Sequence, residues 1–144
     1  MAKPSIKERI DEKIEQIDKF MEELYSSIPQ SLELEDYKKD FKLKAICEHY
    51  FEKIIEAVED LAFLVMNHKE FKYPEYENEI FDILYKNKII SEILTKKLKN
   101  AKGMRNFIAH QYGKIDDVLV YHAIFEELEK DINEFLDNIK EVMR

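Results

Sequence analysis

The sequence predicts an all-α protein, an antiparallel bundle of four to five helices. Three observations carry this. Two glycines and three prolines stand in 144 residues, too few for the many tight turns of a β-rich chain. Apolar residues recur at helical spacing over long stretches. Hydrophobic residues make up 45% of the chain and charged residues 38%, which fits a filled core under strongly ionic helix faces. The length suits one domain spanning 1–144.

The first helix is expected over Ser5–Ser27, where Ile6, Ile10, Ile14, Ile17, Met21, Leu24 and Ile28 form one stripe. Ser5 with Glu8 resembles a capping box, and Pro29 ends the helix. A second, longer helix is expected over Leu34–Asn67. Its apolar positions include Phe41, Ala45, Tyr50, Ile54, Ile55, Val58, Leu61, Ala62, Val65 and Met66. Glu48, Glu52, Lys53, Glu56, Glu59 and Asp60 mark its polar face. A turn around Pro74 precedes a short helix near Glu77–Lys86. Ser91 can cap a fourth helix that carries Ile93, Leu94, Leu98 and Ala101 toward Met104. Asp116 can cap a last helix with the stripe Val118, Tyr121, Phe125, Leu128, Ile132, Phe135, Ile139 and Val142.

Cys47 is the single cysteine, so no intrachain disulfide can form, and it reads as a small buried apolar residue. The longest apolar run, Leu61–Met66, is too short to span a membrane, and the charged N-terminus is unlike a signal peptide. The protein is expected to be soluble and cytoplasmic. His49, His68 and His122 lack a metal-ligand spacing, so no metal and no cofactor is expected. A net charge of −8 argues against indiscriminate phosphate binding. Yet Lys86–Lys114 holds eight basic residues and one acid, a local charge of +7. That segment suits a local anion site on an acidic body, or an ordinary solvated helix face.

Within it, the two glycines, Gly103 and Gly113, bracket Arg105-Asn106-Phe107-Ile108-Ala109-His110-Gln111-Tyr112. The bracket suggests special backbone there. Arg105 and His110 are five residues apart, about 140° around an ideal helix. They do not converge on one small target from one straight helix. Either the helix distorts after Arg105, or a second copy of the chain completes the site. Arginine offers a permanent planar fork for phosphate oxygens, and histidine moves protons near neutral pH. Together they suit cleavage of an RNA phosphodiester, where the 2′-hydroxyl is a built-in nucleophile. Asn106 can bind the phosphate or orient His110. A carboxylate of the second helix can orient Arg105, with Glu56 and Asp60 the candidates chosen.

Arg105-Asn106-Phe107-Ile108-Ala109-His110-Gln111-Tyr112 resembles the R-x4-6-H motif of the HEPN superfamily, and more closely the R-N-x3-H-x-Y form of HepT-type toxins. The likeness extends over the helix Cys47–Asn67, the Pro74 turn, Ile80–Leu84, Ile89–Leu94 and the capped terminal helix. It implies a HEPN bundle acting as a homodimer whose two motifs meet in a cleft. It further implies a metal-independent endoribonuclease that leaves a 2′,3′-cyclic phosphate and a 5′-hydroxyl. Arg105 and His110 match the catalytic pair, and Asn106 the polar second position. Tyr112 matches the tyrosine that a cognate minimal nucleotidyltransferase antitoxin modifies with AMP. Lys99, Lys102 and Lys114 are then candidate RNA contacts, and Tyr50, Tyr112 and Tyr121 can stack on bases. The alternative within the same superfamily is a non-catalytic module that binds nucleotides or scaffolds a partner.

Overall fold

In the computed structural model, Ser5 accepts a hydrogen bond at Oγ from the Glu8 amide, 3.1 Å away, and starts the first helix, α1 (Ile6–Ser27). Residues 2–73, 75, 79–110 and 115–144 are described. Ile10, Ile14, Ile17, Met21 and Leu24 of the expected stripe are buried. The second expected helix is two: α2 (Leu34–Lys39) and α3 (Phe41–His68). Asp40 separates them in an extended conformation, and its carboxylate caps α3 by accepting from the Leu43 amide at 3.0 Å. Lys38 and Lys39 end α2 and Glu35 and Asp36 begin it, as the helix dipole favours. Phe41 stands at the open end of α3 and is 74% exposed, so it is not a core residue.

The short fourth element, α4, is Ile80–Lys86, starting later than expected; Glu77 lies outside the described residues. Ser91 caps the next helix, α5 (Glu92–His110), by accepting from the Leu94 amide at 3.1 Å. This helix passes Met104 and runs unbroken to His110. Ile93 points outward at 70% exposure, while Leu94, Leu98 and Ile108 turn inward. Asp116 caps α6 (Asp117–His122), which continues through a π-helical segment, Ala123–Glu127, into α7 (Leu128–Val142).

That π-segment explains a phase error in the expected stripe. Its i→i+5 winding adds a residue per turn. The buried positions therefore run Val120, Ile124, Leu128, Ile132, while Val118, Tyr121 and Phe125 are only partly covered. From Leu128 onward the stripe is as expected. The Tyr25 hydroxyl donates to the Ile124 carbonyl inside the segment, at 2.7 Å.

α3 is the centre of the bundle. It packs against α1, α4 and α5, and α7 closes on α5. Its second half is buried almost all round: Ile54, Ile55, Ala57, Val58, Leu61, Ala62, Leu64, Val65 and Met66. The buried apolar residues make one cluster that draws on every helix. The described residues contain no strand. No helix of the described residues is long and apolar enough to cross a membrane.

Candidate functional site

The buried face of α5 begins as ordinary amphipathic helix. Leu94, Thr95 and Leu98 lie inward. One turn later the same face carries Lys102, and less than a turn beyond it Arg105. Two cations thus occupy positions where periodicity calls for apolar residues. The facing helix answers with one anion. Glu59 lies on the line Ile55–Glu59–Ala62–Met66, whose members are all buried, and is itself 6% exposed.

Glu59 holds both cations. Lys102 Nζ lies 2.6 Å from Glu59 Oε2, and Arg105 Nη2 lies 3.4 Å from Oε1. Arg105 Nη2 also donates to Asn106 Oδ1 at 2.9 Å. Its side chain is 15% exposed, so the guanidinium sits at the edge of the interior. A guanidinium has five N–H donors. No hydrogen bond engages Nη1 or Nε of Arg105 among the described residues. The arginine is anchored by one nitrogen; Nε is buried, which leaves Nη1 for an anion.

His110 is the last residue of α5 and is exposed. Because α5 is continuous to that point, no distorted turn brings His110 round to Arg105. They remain about 140° apart around the helix and roughly 7.5 Å apart along it. Gly103 needs no special backbone. It lies within α5, and a Cβ there would meet nothing within 4 Å. Gly113 lies outside the described residues, as do Tyr112 and Lys114.

Several expectations change in detail. The carboxylate on Arg105 is Glu59, which was read as part of a solvated face. Glu56 and Asp60 are exposed, and Asp60 pairs with Lys13 at 3.7 Å. The signal that could have found Glu59 is its place in an otherwise apolar line. Lys102 is 4% exposed with its ammonium on Glu59, so it does not stand on the surface as an RNA contact. Lys99 is exposed and pairs with Asp82 at 2.9 Å. Asn106 turns to Arg105 and makes no hydrogen bond with His110. Tyr121 is a packing residue: its hydroxyl donates to the Leu32 carbonyl, and its ring lies 5.1 Å from Phe125 and 5.7 Å from Tyr37. Tyr50 is partly buried against the core, with its ring 5.2 Å from His49. Cys47 is fully buried, and burial pushes its thiol up to about 12.

A hollow of about 570 Å³ lies elsewhere, between the end of α1 and the π-segment. Glu126, Glu127 and Glu129 line it with Lys130, so it does not suit a phosphate, and neither Arg105 nor His110 reaches it.

Fold and site together define an all-helical protein that presents an anchored arginine and an exposed histidine on the last turns of one helix. A family model, Ribonuclease HepT-like, matches residues 10–139. The mRNA nuclease HepT of Shewanella oneidensis is 29% identical over 104 residues, 72% of this chain and 77% of that protein. The tRNA nuclease HepT of Aphanizomenon flos-aquae is 27% identical over 139 residues, covering 92% of each chain. Among solved structures, the tri-AMPylated Shewanella oneidensis HEPN toxin in complex with MNT antitoxin superposes with a TM-score of 0.78 at 26% identity, covering 96% of this chain and 98% of that one. The chain belongs to the ribonuclease HepT-like family, and the HEPN bundle and the endoribonuclease class expected from its sequence stand.

Proposed function

We propose that the protein is a single-domain toxin that cleaves RNA without a metal, in a cleft between two copies of the chain. The observation that carries this is the anchored Arg105. Its charge is held at the edge of the bundle with N–H donors uncommitted, as a phosphate site requires. His110 supplies the proton chemistry. It takes the proton of the 2′-hydroxyl as the 2′-oxygen attacks phosphorus, and the bond to the 5′-oxygen breaks. The 2′,3′-cyclic phosphate remains on one fragment. The 5′-oxygen leaves as a hydroxyl, taking a proton from the second copy's imidazolium. Arg105 stabilises the charge that builds on the non-bridging oxygens. Asn106 fixes one edge of Arg105 from the next position in the chain, and Lys99 and Lys114 lend positive charge to the approach of RNA.

A straight α5 supports a homodimer. In one copy Arg105 and His110 leave an ideal helix about 140° apart, whereas two copies related by a two-fold axis can pool their motifs. The outward face of α5 carries Lys96, Asn100, Gly103, Phe107 and His110 in one line, with Phe107 43% exposed. A glycine with open space above it and an apolar ring one turn on suit close helix approach.

Control falls to Tyr112. A nucleotidyltransferase antitoxin transfers AMP to its hydroxyl, which puts phosphate charge and bulk two residues from His110 and repels RNA. The solved complex of an AMPylated relative with MNT antitoxin supports this reading.

Purified protein is incubated with cellular RNA in excess EDTA. Cleavage is expected, with cyclic-phosphate ends, and is expected to vanish in Arg105→Ala and His110→Ala. Failure of the wild type to cut any RNA defeats the proposal and leaves the non-catalytic module. Activity that EDTA removes defeats the metal-free mechanism.

A further inference from the structure

Among the described residues, three charged side chains are as buried as core residues: Glu59, Lys102 and Asp131. Asp131 has a single half-exposed partner, Lys97, at 3.3 Å. Glu59 differs, because one carboxylate faces two cations. A buried pair of opposite charges balances itself, and apolar residues of similar volume often serve stability as well. These three side chains together carry one net positive charge at the edge of the interior.

The three groups are ordered from the interior outward. Lys102 is the inner partner, with its side chain 5% exposed, and lies closer, at 2.6 Å. Arg105 is the outer one, 15% exposed and 3.4 Å away. If Glu59 had Arg105 alone, the pair would cancel and the guanidinium would offer an incoming phosphate little field. With Lys102 on the other oxygen, the carboxylate fixes Arg105 in place while its positive charge survives.

We propose that Glu59 and Lys102 are positioning residues for RNA cleavage: Glu59 pins the Arg105 guanidinium, and Lys102 offsets Glu59 so that Arg105 stays electropositive toward the phosphate. This rests on the ribonuclease reading. A displaced reacting group costs about 100-fold in rate, so Glu59→Gln is expected to lower kcat by that order while KM for RNA changes little.

Lys102→Met carries the sharper expectation. Glu59 then cancels Arg105, kcat/KM falls at least about tenfold, and the slope of log KM against log salt becomes shallower by about one. Lys102→Arg restores both. A purely structural role would move the melting temperature and leave the salt slope alone. Wild-type kcat/KM and slope in Lys102→Met, or wild-type kcat in folded Glu59→Gln, overturns the proposal. Should the variants not fold, the wild-type protein decides by nuclear magnetic resonance of its arginine side chains. Slow, distinct Nη signals for Arg105 support the pinning, and one averaged signal overturns it. A wild type that cuts no RNA but shows a pinned Arg105 sinks the ribonuclease reading alone.

Discussion

Tyr112 is the residue on which control of the toxin is proposed to turn. It follows His110 by two positions, so a phosphate ester on its hydroxyl adds negative charge near the proposed proton-transfer group. Incubation with the candidate nucleotidyltransferase and ATP is expected to add one or more AMP groups by mass and to stop cleavage. Tyr112→Phe should keep its nuclease activity and lose that gain of mass at residue 112. Undiminished labelling of Tyr112→Phe would put the modification elsewhere. At this scale the family was legible because arginine, histidine and tyrosine at these fixed offsets are rare together. Glu59 was not legible, since five carboxylates follow one another along α3 and composition alone makes them one solvated face. Only the register of Glu59 with Ile55, Ala62 and Met66 separates it from exposed Glu56 and Asp60. Lys102 was misread for the same reason, as one lysine in a basic stretch.

At the scale of elements, capping residues did more than periodicity. Ser5, Ser91 and Asp116 each start a helix where expected. Asp40 does so too, but the apolar pattern runs through it and hides the break between α2 and α3. The π-segment is hidden more deeply, because a one-residue change of winding leaves the apolar content unaltered and shifts only its phase. Tyr25 is the tertiary support of that segment, through its 2.7 Å bond to the Ile124 carbonyl. Tyr25→Phe is expected to lower stability by about 1–3 kcal/mol, the cost of a buried carbonyl left without its donor. Urea unfolding measures it, and a loss near zero would show the segment to be held by α6 and α7 alone. Burial, with Glu129 second, raises the Tyr25 hydroxyl well above the ordinary tyrosine range. The fold therefore keeps it neutral, and its contribution is complete below about pH 10, the unfolded value, and lost as pH rises further. Tyr25→Phe should narrow the stability gap to wild type as pH climbs past that point.

For the whole molecule, the acidic body and the basic Lys86–Lys114 segment divide the electrostatics. On the proposed function a net charge of −8 repels RNA at long range, and the +7 segment that includes α5 marks the place of approach. On the same proposal two copies of the chain complete the site there, so the assembly is the unit of function. Gly103 allows that claim to be separated from stability. A Cβ at this position meets nothing within 4 Å in the monomer, and replacing a helical glycine gains about 0.5–1 kcal/mol of helix propensity. Gly103→Leu should therefore melt at or above the wild-type temperature. Across a two-fold axis, the same side chain would hold two α5 helices apart. Sedimentation is expected to find a dimer for wild type and a monomer for Gly103→Leu, and cleavage is expected to fall with the dimer. If Gly103→Leu stays dimeric and active, the two α5 faces do not meet. Arg105 and His110 would then have to reach one phosphate by another route.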